Sequence, residues 1–197
     1  MNKCHIIRKI ILNFILLLLL LGCTTNKKEY TLQNMPVNVV SLKDYYELMV
    51  QEAKKWDKNA YLNGLDINVF SNTYSGLDPY FHAIFYSPTK PRNSLDVILN
   101  CEGELSVIAI DHDMDILQEL PIEVNDHFID SPEAVLLLAD DETIRSIMND
   151  RPAKLVLLRT KIGNEPRVVW LLVKDYKTKY SEKFYLDSYT GEKLEIK

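Results

Sequence analysis

The sequence lacks the short motifs that mark most enzymes. Its 197 residues include only six glycines and three cysteines, and no Gly-x-Ser-x-Gly, His-Glu-x-x-His, Cys-x-x-Cys or phosphate-binding glycine loop occurs. His82, His112 and His127 stand in no catalytic signature. We therefore predict a protein that is not an enzyme and carries no cofactor, although a hydrolase built on paired carboxylates would leave little trace in a sequence.

Basic charge is also scarce. Lys and Arg number 23 against 28 Asp and Glu, which gives a net charge of −5. A surface of this sign repels nucleic acid and anionic lipid headgroups. The composition therefore predicts that nucleic acid is not a partner.

No apolar run reaches the length of about 20 residues that a membrane-spanning helix needs. The apolar run at the N-terminus covers residues 10–21 and is interrupted by Asn13. It follows a basic start that contains Lys3, Arg8 and Lys9. This order is typical of a cleavable signal peptide, which we place at residues 1–22.

The end of this run, Leu20-Leu21-Gly22-Cys23, resembles the lipobox of bacterial lipoproteins. The resemblance implies that cleavage makes Cys23 the first residue of the mature protein and that this cysteine is acylated. Lipid would then hold the protein on the extracytoplasmic face of a membrane, inner or outer. A chance cysteine in an ordinary signal peptide and a short buried helix are the alternatives. With Cys4 removed and Cys23 acylated, Cys101 is the only free thiol and no intrachain disulfide is expected.

A polar tether at residues 23–40 leads to a first predicted unit at 41–110. Ser41 is placed as the N-cap of a helix over 42–57, where apolar residues recur at helical spacing. Strand-like runs separated by glycine and proline follow at 60–70, 80–86, 95–101 and 105–110.

An acidic linker at 111–129 separates this unit from a second one at 130–197. Pro132 at a first helical position begins a predicted helix-turn-helix, and strand-like runs follow. The predicted helices are 132–139 and 142–148, and the strands are 153–161, 167–174, 181–187 and 192–197. The predicted fold class is α+β, with two repeats that each consist of a helix or helix-turn-helix followed by a four-stranded antiparallel meander.

Two pairs of landmarks indicate an internal duplication. Pro79 and Pro166 each precede an apolar strand, and Gly103 and Gly191 each precede a glutamate at nearly the same spacing. Chance alignment of prolines and glycines is the alternative.

The C-terminal half ends in a pattern that resembles PepSY-type domains: a strand centred on Trp170, then a strand ending in Asp187 and a Thr-Gly-Glu hairpin that contains Gly191. The helix-turn-helix before four strands also resembles the repeat of the beta-lactamase-inhibitor-protein-like fold. The match is better over 131–197 than over 41–110, where Ala83 replaces the tryptophan. Such domains regulate or inhibit secreted peptidases, so the resemblance implies a partner of this kind. We expect Trp170, Asp187 and Gly191 to have structural roles.

Asp111, Asp113 and Asp115 have the alternating spacing that begins a calcium-binding EF-hand loop. The pattern then fails, because Ile116 stands where the loop needs glycine and Ile122 where it needs glutamate. A solvated acidic turn is the favoured interpretation, and the three carboxylates remain weak candidates for a metal site.

Together these features predict a lipid-anchored envelope module that binds a protein or peptide without catalysing a reaction. A sheet face or the 111–129 linker would supply the contact, and an envelope protein or a secreted peptidase would be the partner. The alternative is an envelope lipoprotein that binds a small ligand or a metal ion through the acidic linker.

Overall fold

A computed structural model describes residues 35–195, except for 74, 75, 77, 116–119, 150, 152, 164, 175 and 177–180. The predicted signal peptide 1–22, Cys23 and most of the predicted tether lie outside the described residues. Within the described part of the chain, no helix is both long enough and apolar enough to cross a membrane.

The described residues form three helices and a nine-stranded antiparallel sheet, which confirms the predicted α+β class. In chain order the elements are β1 (Val37–Asn38), α1 (Leu42–Trp56), β2 (Tyr61–Ser71), β3 (Phe81–Tyr86), β4 (Asn93–Leu99), β5 (Leu105–Asp111), α2 (Ser131–Leu138), α3 (Asp141–Met148), β6 (Ala153–Ile162), β7 (Glu165–Lys174), β8 (Glu182–Asp187) and β9 (Lys193–Leu194).

The sheet has the order β5-β4-β3-β2-β6-β7-β8-β9, with β1 beside β2. Its centre is the antiparallel ladder between β2 and β6, in which Leu65 lies opposite Leu157 and Val69 lies opposite Ala153. From this ladder, β2–β5 form one meander and β6–β9 form the other. Among the described strands, β2 and β6 are the ones that pair across the two meanders.

The three helices pack on one face of the sheet. Alternate residues of β3, namely Phe81, Ala83 and Phe85, are fully buried with the apolar residues of the helices. The residues between them, such as His82 and Ile84, are half-buried. Since successive side chains of a strand point to opposite faces, these residues lie on the face away from the helices, which we call the open face.

In the hairpin between β4 and β5, five residues, 100–104, lie between the last paired positions Leu99 and Leu105. Asn100 N–H donates to the carbonyl of Glu104 at 3.0 Å, and Gly103 has a φ of 82°. A positive φ is strained for residues with a Cβ. Glycine therefore suits position 103 of this turn, and β4 ends at Leu99 rather than at residue 101.

The predicted linker contributes to the core. Ile122 and Phe128 are each only 2% exposed. Ile122 N–H donates to the carbonyl of Leu62 at 3.0 Å, and Ile129 N–H donates to the carbonyl of Ser188 at 2.8 Å. The second part of the linker is thus a packed segment that joins both meanders.

The N-termini of α1 and α2 cap each other. Ser41 Oγ donates to Asp130 Oδ2 at 2.6 Å, and the Leu42 N–H donates to Ser131 Oγ at 2.8 Å. Ser131 Oγ in turn donates to the carbonyl of Val40 at 2.7 Å. These bonds satisfy backbone groups that a helix N-terminus leaves without an intrahelical partner.

We expect Ser131→Ala to lower the free energy of unfolding by about 1–3 kcal/mol, because it leaves the buried N–H of Leu42 and the partly buried carbonyl of Val40 without this partner. Urea unfolding of the full chain in detergent measures the effect. Ser106→Ala is the matched control, since Ser106 is exposed on β5. Equal effects of the two variants would contradict the capping role.

Candidate functional site

Four ionisable residues meet on the open face. His82 Nε2 lies 2.7 Å from Asp96 Oδ2, and His82 Nδ1 lies 3.7 Å from Asp66 Oδ2. Lys154 Nζ lies 2.9 Å from the other oxygen of Asp66 and 5.2 Å from the centre of the Tyr176 ring. We call His82, Asp66, Asp96 and Lys154 the polar cluster.

Strand register brings the polar cluster together. Its members come from β2, β3, β4 and β6, and Asp66 lies directly opposite His82 in the ladder between β2 and β3. Their side chains are between 12% and 29% exposed. His82 is among the histidines that stand out in the sequence, whereas its three partners were not predicted. Each is a polar residue within an apolar strand, a signal that indicates the open face but not which residues become neighbours.

The cluster shifts two pKa values in opposite directions. The contact with Asp66 raises the pKa of His82 above its ordinary 6.5, and the hydrogen bond with Asp96 adds to this rise, while burial opposes it. Burial raises the pKa of Asp66, but the contacts with His82 and Lys154 outweigh it and hold that pKa below 3.8. The cluster therefore favours an imidazolium flanked by two carboxylates.

The cluster is arranged to hold charge. Both ring nitrogens of His82 face carboxylates, so neither is directed at a hydroxyl or thiol among the residues described here. Nucleophilic catalysis by a histidine needs a nitrogen within hydrogen-bond reach of the nucleophile. The chemistry that this geometry supports is the gain or loss of a proton by His82 on the sheet surface.

A serine and a histidine also meet at the edge of the sheet. Ser94 Oγ lies 3.0 Å from His112 Nε2. Ser94 is only 3% exposed, and none of the carboxylates in the described residues orients the other ring nitrogen of His112. A buried hydroxyl with no oriented base is poorly placed to attack a substrate. His127, by contrast, lies exposed in a turn of the linker.

The three weak metal candidates lie in and after β5, and two of them have partners of their own. Asp111 accepts a hydrogen bond from Asn93 Nδ2, and Asp115 Oδ1 lies 2.8 Å from Arg92 Nε. Asp113 is exposed. Among the residues that the structure describes, no group of three His, Cys, Asp or Glu side chains is placed to hold a metal ion.

Trp170 is part of the core. It is fully buried, its Nε1 donates to the carbonyl of Ile129 at 2.8 Å, and its ring makes an edge contact with Phe128 at 5.7 Å between centroids. A buried tryptophan needs such an acceptor. Trp170 thus holds the end of the linker against β7.

Asp187 and Gly191 shape the turn between β8 and β9. Asp187 Oδ1 accepts hydrogen bonds from the N–H groups of Tyr189 and Thr190, each at 3.0 Å. Gly191 has a φ of 73°, and a Cβ there would lie 3.2 Å from Ile129 Cδ1. Both residues are placed where a tight turn requires them.

No family model, curated protein or solved structure matches this chain. The predicted lipid attachment at Cys23 lies outside the described residues. Cys101 is a free, half-buried thiol in the hairpin between β4 and β5.

We expect the polar cluster to make stability depend on pH. A histidine whose pKa is raised by folding stabilises the folded state fully below its unfolded pKa of about 6.5, and this contribution is lost as pH rises through the folded pKa. His82→Gln should therefore destabilise the protein at about pH 6 and have a smaller effect at higher pH. Urea unfolding over about pH 5.5–9 measures the difference.

His127→Gln is the control for this experiment, because His127 is exposed in a turn. Curves for the parent and His82→Gln that stay parallel across this pH range would contradict the stabilising role of the imidazolium.

Proposed function

We propose that this chain is a lipid-anchored extracytoplasmic module that binds a protein or peptide through the open face of its sheet and does not catalyse a reaction. The observation that carries the proposal is the apolar character of that face. Four of its residues are half-exposed aliphatic side chains, namely Ile84, Ile98, Val156 and Leu158. They lie beside the polar cluster in the strand register, and exposed aliphatic side chains of this kind suit a protein contact, whose buried centre is apolar.

A duplication is part of this proposal, and the element order supports it, because a helical segment precedes a four-stranded meander twice. The mutually capping residues Ser41 and Asp130 are 89 positions apart. The same spacing aligns Phe81 with Trp170, which are large buried aromatic residues on the second strand of each meander. The spacing of the two prolines instead aligns Ala83 with Trp170. The spacing of the capping residues therefore gives the better alignment of the two proposed repeats.

The proposed partner is an envelope protein or a secreted peptidase. Support for the peptidase comes from the resemblance of the Trp170 strand and the Gly191 turn to PepSY-type domains, and from a sheet with all its helices on one face. A broad sheet of this kind offers a rigid surface to a folded partner. Fold alone does not define a partner, so the test is made on the surface itself.

We expect Ile98→Lys to reduce recovery of the partner about tenfold or more, because it replaces an aliphatic contact with a charged side chain that must be desolvated when the partner binds. Crosslinking in intact cells, followed by purification of the lipidated full chain and quantitative mass spectrometry, measures recovery. Leu48→Lys is the matched control, since Leu48 is 42% exposed on α1. Equal recovery with both variants would contradict binding through the open face.

A second experiment tests the anchor. We expect Cys23→Ser to prevent incorporation of labelled palmitate and to move the protein out of the membrane fraction, because the acyl chains contribute about 0.8 kcal/mol per buried methylene group. Cys101→Ser is the control and should leave both unchanged. A Cys23→Ser protein that remains labelled and membrane-bound would contradict lipid attachment at this residue.

A further inference from the structure

Strand β5 is the long edge of the sheet, and both of its faces are exposed. It is the first strand in the sheet order and pairs only with β4 among the described strands. Val107 is 43% exposed and Ile108 is 49% exposed, although they point to opposite faces. The described helices therefore leave the middle of this strand exposed on both sides.

The usual protections of an edge strand are missing from β5. Natural sheets protect edges with lysine, proline, bulges or very short strands. Residues 105–111 contain neither lysine nor proline, and the register with β4 is regular over seven residue pairs. The opposite edge, β9, contains two residues in the part of the chain that the structure describes.

The hydrogen bonds at the ends of β5 show which backbone groups point outward. Asn100 N–H donates to the carbonyl of Glu104, and His112 N–H donates to the carbonyl of Arg92. Bonding to a neighbouring strand alternates along an antiparallel ladder, so positions 106, 108 and 110 bond to β4. The N–H and C=O groups of Val107 and Ala109 consequently point away from the sheet.

The charges around this edge define the chemistry of an added strand. Glu102 and Glu104 lie before β5, and Asp113 lies after it; all three are exposed and none has a basic partner among the described residues. Between these acidic ends the strand is apolar. An extended segment with aliphatic residues at its centre and lysine or arginine at both ends matches this pattern.

A second copy of the chain matches it poorly. Antiparallel pairing of two β5 strands would bring Glu102 and Glu104 of one copy close to Asp111 and Asp113 of the other. Parallel pairing would set each acidic end against its equivalent. Like charges directly opposite each other in a sheet are destabilising, so the edge disfavours its own copy.

We infer that β5 binds an extended, basic-flanked apolar segment of the partner protein by adding it to the sheet as a further strand. This inference rests on the proposed function and specifies the chemistry of its partner. The main-chain groups of Val107 and Ala109 provide the hydrogen bonds, and the side chains of Val107 and Ile108 contact alternate residues of the added strand. The acidic ends set its register.

The test uses a fluorescein-labelled peptide of about nine residues, with two lysines at each end and alternating valine and threonine between them. Fluorescence polarisation measures its binding to the full chain in detergent. We expect Ala109→Pro to raise the Kd about tenfold or more, because proline removes an outward N–H without removing a bond to β4. Ala109→Val keeps that N–H and should change the Kd by less than about threefold.

Charge is tested separately, by a route that leaves the backbone intact. The double variant Glu102→Lys with Asp113→Lys should weaken binding of the lysine-flanked peptide about tenfold and favour a glutamate-flanked peptide of the same core. Circular dichroism checks that each variant is folded. If Ala109→Pro does not fold, the double variant carries the test.

Several results would overturn the inference. These are no binding of the peptide by the parent, equal binding by the parent and Ala109→Pro, and a dimer of the parent that Ala109→Pro converts to a monomer. Recovery of the partner from cells distinguishes failure of strand addition at β5 from failure of the proposed function. If Ile98→Lys abolishes recovery while Ala109→Pro does not, the open face binds the partner and β5 does not.

Discussion

The pairing of β2 with β6 is the contact on which the rest of the structure depends. Five residue pairs, from Leu65–Leu157 to Val69–Ala153, join two meanders that share no other strand pairing among the described residues. Without this ladder, β2 and β6 would each be the edge strand of a separate meander, although their helix-facing side chains are fully buried in the joined sheet. The unpaired backbone groups of both strands would then need other partners. The same ladder brings Lys154 beside Asp66, so the polar cluster on the open face gains this fourth member only when the halves are joined.

A second link between the halves lies at the helix N-termini, and electrostatics explains its composition. Each helix N-terminus carries a partial positive charge, so placing those of α1 and α2 side by side is unfavourable without an intervening anion. Asp130 supplies it, since one oxygen accepts from Ser41 Oγ and the other from the Lys43 N–H. Ser131 completes the contact by accepting from Leu42 and donating to Val40. A single short segment therefore caps its own helix and the helix of the other half.

Sequence patterns predicted the elements well and their neighbours poorly. Helical spacing located α1, and glycine and proline located most strand ends, because these are local properties of the chain. Period-two alternation in Leu65-Asp66-Ile67 and in Leu95-Asp96-Val97 indicates that both carboxylates lie on one face. Their contact with His82 depends on the registers of two ladders, which local patterns do not encode. The burial of Ile122 and Phe128 was missed for a related reason, since an irregular segment has no periodicity to mark its apolar residues as core.

The difference between the two sheet edges is the strongest argument that β5 has a use. On the proposed duplication, β9 is the counterpart of β5, and the two strands began as equivalent edges. In the described part of the chain β9 has two residues, with the exposed charged residues Lys193 and Glu195 close to its ends. β5 retains seven residues, regular pairing with β4 and two large exposed aliphatic side chains. An unprotected edge carries a cost in unwanted association, which selection removes where nothing offsets it. The acidic ends of β5 limit self-association without blocking the edge, a combination that suits a strand kept open for a partner of the opposite charge.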